Sequence, residues 1–174
     1  MVLAGFHHGE RAVQEKLDYA RAMEMFQGYT MVDDSLPLQH RIFHNKNLPF
    51  VPVTTLDAIG RPWGSLLSQS GTPGFITSPN DTSLVITANI GEGDPIAENF
   101  KYTRDGTTLI AGLGIDFANR RRNKFAGKVS ALETSGPSMV ASLEINQALG
   151  CVVFVLSYFL SSKVADPAVI QELP

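Results

Sequence analysis

From Pro49 onward the chain is a succession of short β-branched runs, each closed by turn-forming residues, and that rhythm leaves few architectures open. Phe50-Val51-Pro52-Val53-Thr54-Thr55-Leu56 is followed by Asp57-Ala58-Ile59-Gly60, which can reverse the chain. Pro62 to Ser68 then runs back beside it as a hairpin. Ser83 to Ala88 reads as another strand. A short one at Phe75-Ile76-Thr77 lies within the turn-rich segment Gly71 to Asp81. Thr108 to Asp116, Asn123 to Leu132 and Met139 to Ile145 complete the set, and Ile96 to Tyr102 is short enough for one or two helical turns. Strands of this number and spacing predict a mainly β fold with flanking helices (α+β), a small barrel of Greek-key character whose closure removes exposed edges.

Before Pro49 the period is helical. Val13, Leu17 and Ala20 recur at three and four between Glu and Lys, which predicts an amphipathic helix over Glu10 to Met25, ended by Gly28. A second helix is predicted over Leu36 to Asn47. Ser35 or Asp34 supplies an N-cap oxygen, Pro37 sits where no amide hydrogen is missed, and Leu38, Ile42 and Phe43 form the buried side. The expected organisation is a helical segment over 1–48 packing on a barrel over 49–150, then an atypical tail over 151–174.

The chain has 174 residues, 44% hydrophobic and 18% charged, which suits one globular domain with a sizeable core. A net charge of -3 argues against bulk attraction to nucleic acid or anionic membranes. Cys151 is the sole cysteine, so no intrachain disulfide forms and a cysteine-only metal site is excluded. The apolar run from Leu149 to Leu160 falls short of the roughly 20 residues of a membrane span. Met1 to Phe6 is too short for the apolar core of a signal peptide. The expected location is the cytoplasm, with no membrane and no nucleic-acid partner.

Several chemical motifs dissolve on inspection. His40 and His44 share a helical spacing that can face one metal, but no third ligand stands at a recognisable spacing; they read as two partly exposed helix histidines. Adjacent His7 and His8 diverge. Gly112-Leu113-Gly114 lacks the third glycine and the acidic residue of a dinucleotide loop, and reads instead as a place of close approach within a strand. No Gly-x-Ser-x-Gly elbow is present around Ser65. There remains Arg120-Arg121-Arg122 with Lys124, at the start of a strand in an otherwise mildly acidic chain. Alternation puts Arg120 and Arg122 on one face and Arg121 on the other, and two guanidiniums on one face can hold a phosphate with paired donors.

Phe6-His7-His8-Gly9-Glu10, Pro37-Leu38-Gln39-His40-Arg41, Leu48-Pro49-Phe50, Gly60-Arg61-Pro62-Trp63-Gly64-Ser65-Leu66-Leu67, Pro73-Gly74-Phe75-Ile76, Gly93-Asp94-Pro95, Asn99 and Asn119-Arg120-Arg121-Arg122-Asn123-Lys124 occur in one order across roughly residues 6 to 150. In that order they resemble the pyridoxamine 5′-phosphate oxidase-like family, in particular the subgroup with an N-terminal Phe-His-x-Gly-Glu motif. The resemblance implies an FMN-binding split barrel, usually a homodimer with the flavin between subunits. It carries Trp63, Ser65, Leu66 and Leu67 to the strand lining the flavin ring and ribityl chain, and Thr87, Ala88 and Asn89 to the end of a second cofactor-binding strand. Asp94, Pro95 and Asn99 fall in the loop and helix over the phosphate. Arg121 and Arg122 fall at the start of the strand that meets the cofactor. Which arginine faces it is left open.

The departures are informative. Ser65 and Ser68 stand where true pyridoxamine phosphate oxidases carry Arg or Lys, and their C-terminal Arg-x-His motif has no counterpart, so oxidation of vitamin B6 is not implied. After Gly150 the chain runs Cys151-Val152-Val153-Phe154 where the subgroup has Asn-Cys-Pro-Lys-Tyr-Ile. The expected function is an FMN-dependent oxidoreductase acting on a small molecule, with a pyridine nucleotide or a separate reductase as electron donor. No side chain is assigned an acid or nucleophile role, and no metal is expected. The alternatives are a non-enzymatic flavin- or haem-binding or electron-relay module, and an inactive form with an altered C-terminus.

Overall fold

The structure, a computed structural model, describes residues 8–17, 32–101 and 108–150. The expected second half of the first helix and the tail after Gly150 lie outside the described residues. Seven antiparallel strands form one sheet: β1 (Val51–Leu56), β2 (Pro62–Leu67), β3 (Ile76–Thr77), β4 (Ser83–Asn89), β5 (Leu109–Asp116), β6 (Arg121–Ser135) and β7 (Ser138–Gly150). Three helices are present among the described residues: α1 (His8–Lys16), α2 (Leu38–Lys46) and α3 (Pro95–Lys101). None is long and apolar enough to cross a membrane.

Turn chemistry sets the register of the strands. The Asp57 carboxylate accepts from the backbone N–H of Ile59 (3.0 Å) and Arg61 (2.9 Å), from Arg61 Nε (2.7 Å) and from the Trp63 indole (3.0 Å), locking the β1–β2 hairpin. The indole N–H foremost, with the Arg61 and Ile59 donors behind it, holds the Asp57 carboxyl well below the usual carboxylate range. Between β6 and β7 the loop is only Gly136-Pro137, because Ser135 pairs with Ser138. Gly136 takes φ 58, open to glycine, and Pro137 fixes a negative φ, the combination of a II′ hairpin turn.

The strand order is β2-β1-β5-β6-β7-β4-β3. A single bridge links Ser68, just after the edge strand β2, to Asn89 of β4, with Asn89 N–H donating to the Ser68 carbonyl at 2.9 Å and Asn89 Nδ2 to the Gln69 carbonyl at 3.0 Å. One bridge makes a thin seam, so the barrel is split there. Hairpins join β5, β6 and β7, while β4 lies beside β7, which is a Greek key. The mainly β split barrel with flanking helices expected from the sequence is the fold observed.

Alternation fills the interior. Val51 and Val53 of β1, Leu84 and Ile86 of β4, Phe125 and Val129 of β6, and Leu143 and Ile145 of β7 are all buried. Each such side chain contributes roughly 1.5–3 kcal/mol on burial. Two extra residues bend the long β6–β7 pair: Asn146 on β7 and Ser130 on β6, where the register shifts. At the first bulge a Cβ on Gly127 would lie 2.0 Å from the Glu144 carbonyl oxygen, so glycine is required there.

Helices close the barrel at places defined by contacts. The Asp94 carboxylate caps α3 by accepting from Ile96 N–H (3.0 Å), and Pro95 occupies the first helical position. From α3 the buried Asn99 side chain donates to Thr55 Oγ1 on β1 at 2.8 Å. Helix α2 lies against Gly114, whose added Cβ would meet Leu48 Cδ1 at 2.8 Å and Phe43 Cε1 at 3.0 Å. It is tied to the β3 side by Asn45 Nδ2 donating to the Ile76 carbonyl (2.9 Å) and Arg41 Nε to Ser78 Oγ (3.0 Å).

Two expectations are corrected here. The buried side of α2 is His40, Phe43 and His44, whereas Leu38 and Ile42 are 67% and 46% exposed. The histidines are therefore core residues, and the helix is rotated so that aromatic rings, the Phe43–His44 and His44–Phe125 edge contacts, fill the barrel end. Gly112 and Gly114 do mark close approach, but of side chains rather than backbone. The Phe125 ring occupies the space over Gly112, where a Cβ would be 2.2 Å from Cζ.

Candidate functional site

The pairing register aligns three rows of residues across five strands. Ser65, Val53, Gly112, Phe125 and Ala148 are successive partners on β2, β1, β5, β6 and β7. Their side chains point into the barrel, so the rows on either side point out. One outer row is Gly64, Thr54, Ala111, Ala126 and Gln147, again successive partners. The other contains Leu66 opposite Pro52, then Leu113, Lys124 and Leu149 in register.

These rows floor an open groove of about 760 Å³ on the outside of the barrel. The first outer row carries small residues on β2, β1, β5 and β6 and Gln147 on β7, and a Cβ built on Gly64 meets nothing within 4 Å, so the backbone there is open to an approaching ligand. The second row raises an apolar border. Asp94 joins the lining beside β2, where its carboxylate accepts the Ser65 hydroxyl hydrogen at 2.5 Å. A mostly apolar groove with a few polar groups suits a heteroaromatic ring, so the residues present fit a flavin. Among the described residues no group of three or more His, Cys, Asp or Glu stands ready for a metal.

Of the residues singled out from the sequence, Ser65, Leu66 and Asp94 come together at the groove. Trp63 stands on the same strand but spends its indole N–H on Asp57, with Arg61 stacked 5.9 Å from its ring centre. Leu67 is buried in the core, 1% exposed. Thr87, Ala88 and Asn89 belong to β4, which pairs with β7 and forms the seam with Ser68, away from the groove floor. Pro95 begins α3, and Asn99 turns inward to Thr55.

The basic run divides. Arg120 sits in the β5–β6 turn at φ 60, so strand alternation does not reach it. Arg121 lies against α2: its guanidinium is 4.5 Å from the Phe43 ring centre and donates to the Gln39 carbonyl at 2.8 Å. Arg122 is exposed and shares the outward parity of Lys124. Among the described residues, Lys124 is thus the cation that lines the groove.

Comparison with known proteins adds likeness of shape. No family model matches the chain, and no curated protein sequence matches it. Among solved structures, HupZ of Group A Streptococcus is similar at 14% identity and a TM-score of 0.49, covering 68% of this chain and 95% of HupZ. An F420 reductase is similar at 12% identity and TM-score 0.46, covering 65% of this chain and 98% of its own. An NADH:FAD oxidoreductase of Streptomyces globisporus C-1027 is similar at 10% identity and TM-score 0.42, covering 65% and 81%.

Lys124 belongs to the basic cluster singled out in the sequence, whereas Ala111, Ala126 and Gln147 of the groove carry no motif. Part of the signal was present: alternation from Arg122 places Lys124 and Ala126 on one face. That β5 lies between β1 and β6 depends on topology, which no local pattern encodes.

Behind the groove floor lies a buried polar cluster. Both ring nitrogens of His44, Nδ1 of His40 and Nδ2 of Asn123 are buried without a hydrogen-bond partner among the described residues. Burial first, then the charges of His40 and Arg121, lowers the His44 pKa to about 4. For His40, burial and then Arg121 lower the pKa while Asp33 acts the other way. These imidazoles are neutral at neutral pH and pack α2 onto β6.

Proposed function

We propose that the groove binds flavin mononucleotide and that the protein is an FMN-dependent oxidoreductase of the pyridoxamine 5′-phosphate oxidase-like kind, acting on a small molecule. The observation that carries this is the register-aligned floor of small residues Gly64, Thr54, Ala111 and Ala126, ending at Gln147, beneath a groove of about 760 Å³ with a cation at its border. Gly64 gives the ring access to the β2 backbone. Leu66 and Leu113 shield its edges from water, and the Ser65–Asp94 pair holds the α3 loop against β2. The flavin, when bound, supplies the hydride and electron transfer, and the chain binds and orients it.

The groove is open outward, and Leu66 at its border is 60% exposed. A second copy of the chain laid over this face would bury that border and enclose the flavin, giving a homodimer. In this reading residues 49–150 form the flavin-binding unit, with 1–48 packing on it. The electron donor is a pyridine nucleotide or a separate reductase.

The test is a titration of FMN followed by flavin absorbance and fluorescence, with Gly64→Val beside the wild type. Wild-type protein perturbs the flavin spectrum. The variant does not, although its stability stays within about 0.5 kcal/mol because the position is exposed. No spectral change with wild-type protein removes the proposal. Binding without turnover by reduced pyridine nucleotides would favour an electron-relay or storage role instead.

A further inference from the structure

The groove is charged unequally, and this bears on how a ligand lies in it. Its carboxylate, Asp94, stands at the β2 side, fixed by the Ser65 hydroxyl and the Ile96 N–H. Its cation, Lys124, stands on β6, three strand steps away through Ser65, Val53, Gly112 and Phe125. At about 4.8 Å per step the two sides are separated by roughly 14 Å.

Lys124 is also unusual among its neighbours. Its cross-strand partners are Leu113 and Leu149, both apolar, and it makes no ion pair with any described residue. Lys128, on the same strand, faces Glu144 and is held by it at 3.1 Å. A lysine stem laid over apolar neighbours with a free ammonium at its end is built to meet an anion brought in from outside. At the other side the Asp94 carboxylate repels one. The α3 N-terminus there is already capped by Asp94 and offers no free anion site.

We infer that FMN lies across the groove with its phosphate over β6 against Lys124, and with an uncharged part of the molecule toward Ser65 and Asp94. This rests on the flavin reading above. It assigns the phosphate contact to a residue outside the arginine run, since Arg121 is committed to α2.

The experiment compares dissociation constants of FMN and riboflavin, which differ by the phosphate, for wild type, Lys124→Ala and Asp94→Asn. Lys124→Ala should weaken FMN about 10- to 100-fold, the effect of one charge-assisted hydrogen bond, and change riboflavin by less than about threefold. Asp94→Asn, which keeps a capping oxygen, should leave the FMN-to-riboflavin ratio within about threefold of wild type. Wild-type binding of FMN should weaken with added salt more than that of riboflavin. If flavins bind but Lys124→Ala lowers both affinities equally or neither, the phosphate placement is wrong and the flavin reading stands. A preference for FMN over riboflavin that rises in Asp94→Asn places the phosphate at the β2 side and also overturns the inference. If neither flavin binds to wild type, the failure belongs to the flavin reading itself.

Discussion

The guanidinium of Arg121 lies 4.5 Å from the centre of the Phe43 ring and donates to the Gln39 carbonyl at 2.8 Å, so the first residue of β6 is a clamp on α2. The adjacent Arg122 faces the other way and is exposed. Strand parity therefore divides the basic run between one guanidinium committed to a helix and one turned to the outside.

That division predicts unequal consequences for stability. Arg121→Ala removes a part-buried cation–π contact and a charged hydrogen bond, and should cost about 1–2 kcal/mol in urea unfolding. Arg122→Ala should stay within about 0.5 kcal/mol. Equal losses in the two variants would contradict the assignment of Arg121 to the helix.

The Asn99–Thr55 bond predicts energetic coupling between α3 and β1. Both residues are buried and the bond is 2.8 Å long. Asn99→Ala leaves the Thr55 hydroxyl unpaired and should cost about 1–3 kcal/mol. In a double-mutant cycle with Thr55→Val the second substitution should then cost less, with a coupling of about 1 kcal/mol. Additive effects would mean that the hydrogen bond contributes nothing beyond packing.

Much of the fold was legible because strands announce themselves locally. The β1–β2 hairpin, β4, α3 and β5 fall close to where β-branched runs and turn residues place them. The groove was legible only in part. Ser65, Leu66, Asp94 and Lys124, all singled out in the sequence, line it, but Ala111 owes its place to β5 inserting between β1 and β6, a pairing of β1 with β5 distant in sequence. The orientation of α2 was misjudged for a different reason. Leu38 and Ile42 are the more apolar candidates, yet the barrel end is lined by glycines, and the rings of Phe43 and His44 fill that space. Tertiary shape overrode hydropathy at that helix.

The same glycines give a stability test. A Cβ at Gly112 would stand 2.2 Å from Phe125 Cζ, and the ring is enclosed in the core. Gly112→Ala should destabilise by about 1–3 kcal/mol through overpacking. Adding Phe125→Leu should recover part of the loss, since the smaller side chain vacates the contested volume. A neutral Gly112→Ala would show that the ring has room to move.

The buried His44 predicts a loss of stability on mild acidification. Its pKa is lowered from 6.5 to about 4, chiefly by burial, with His40 on the same helix and Arg121 on β6 acting in the same sense. The folded chain thus keeps the imidazole neutral while the unfolded chain takes up a proton. A depressed histidine pKa gives a contribution that is complete above about pH 6.5 and is lost progressively as pH falls towards 4. Over that whole window the loss is on the order of 3 kcal/mol, and His40, shifted in the same direction, adds to it. Urea unfolding at about pH 7.5 and about pH 5 should show the wild type clearly weaker at the lower value. His44→Phe retains an aromatic ring against Phe125 but cannot titrate, so its pH dependence should be shallower. If the two proteins lose stability in parallel, proton uptake at His44 is not the cause.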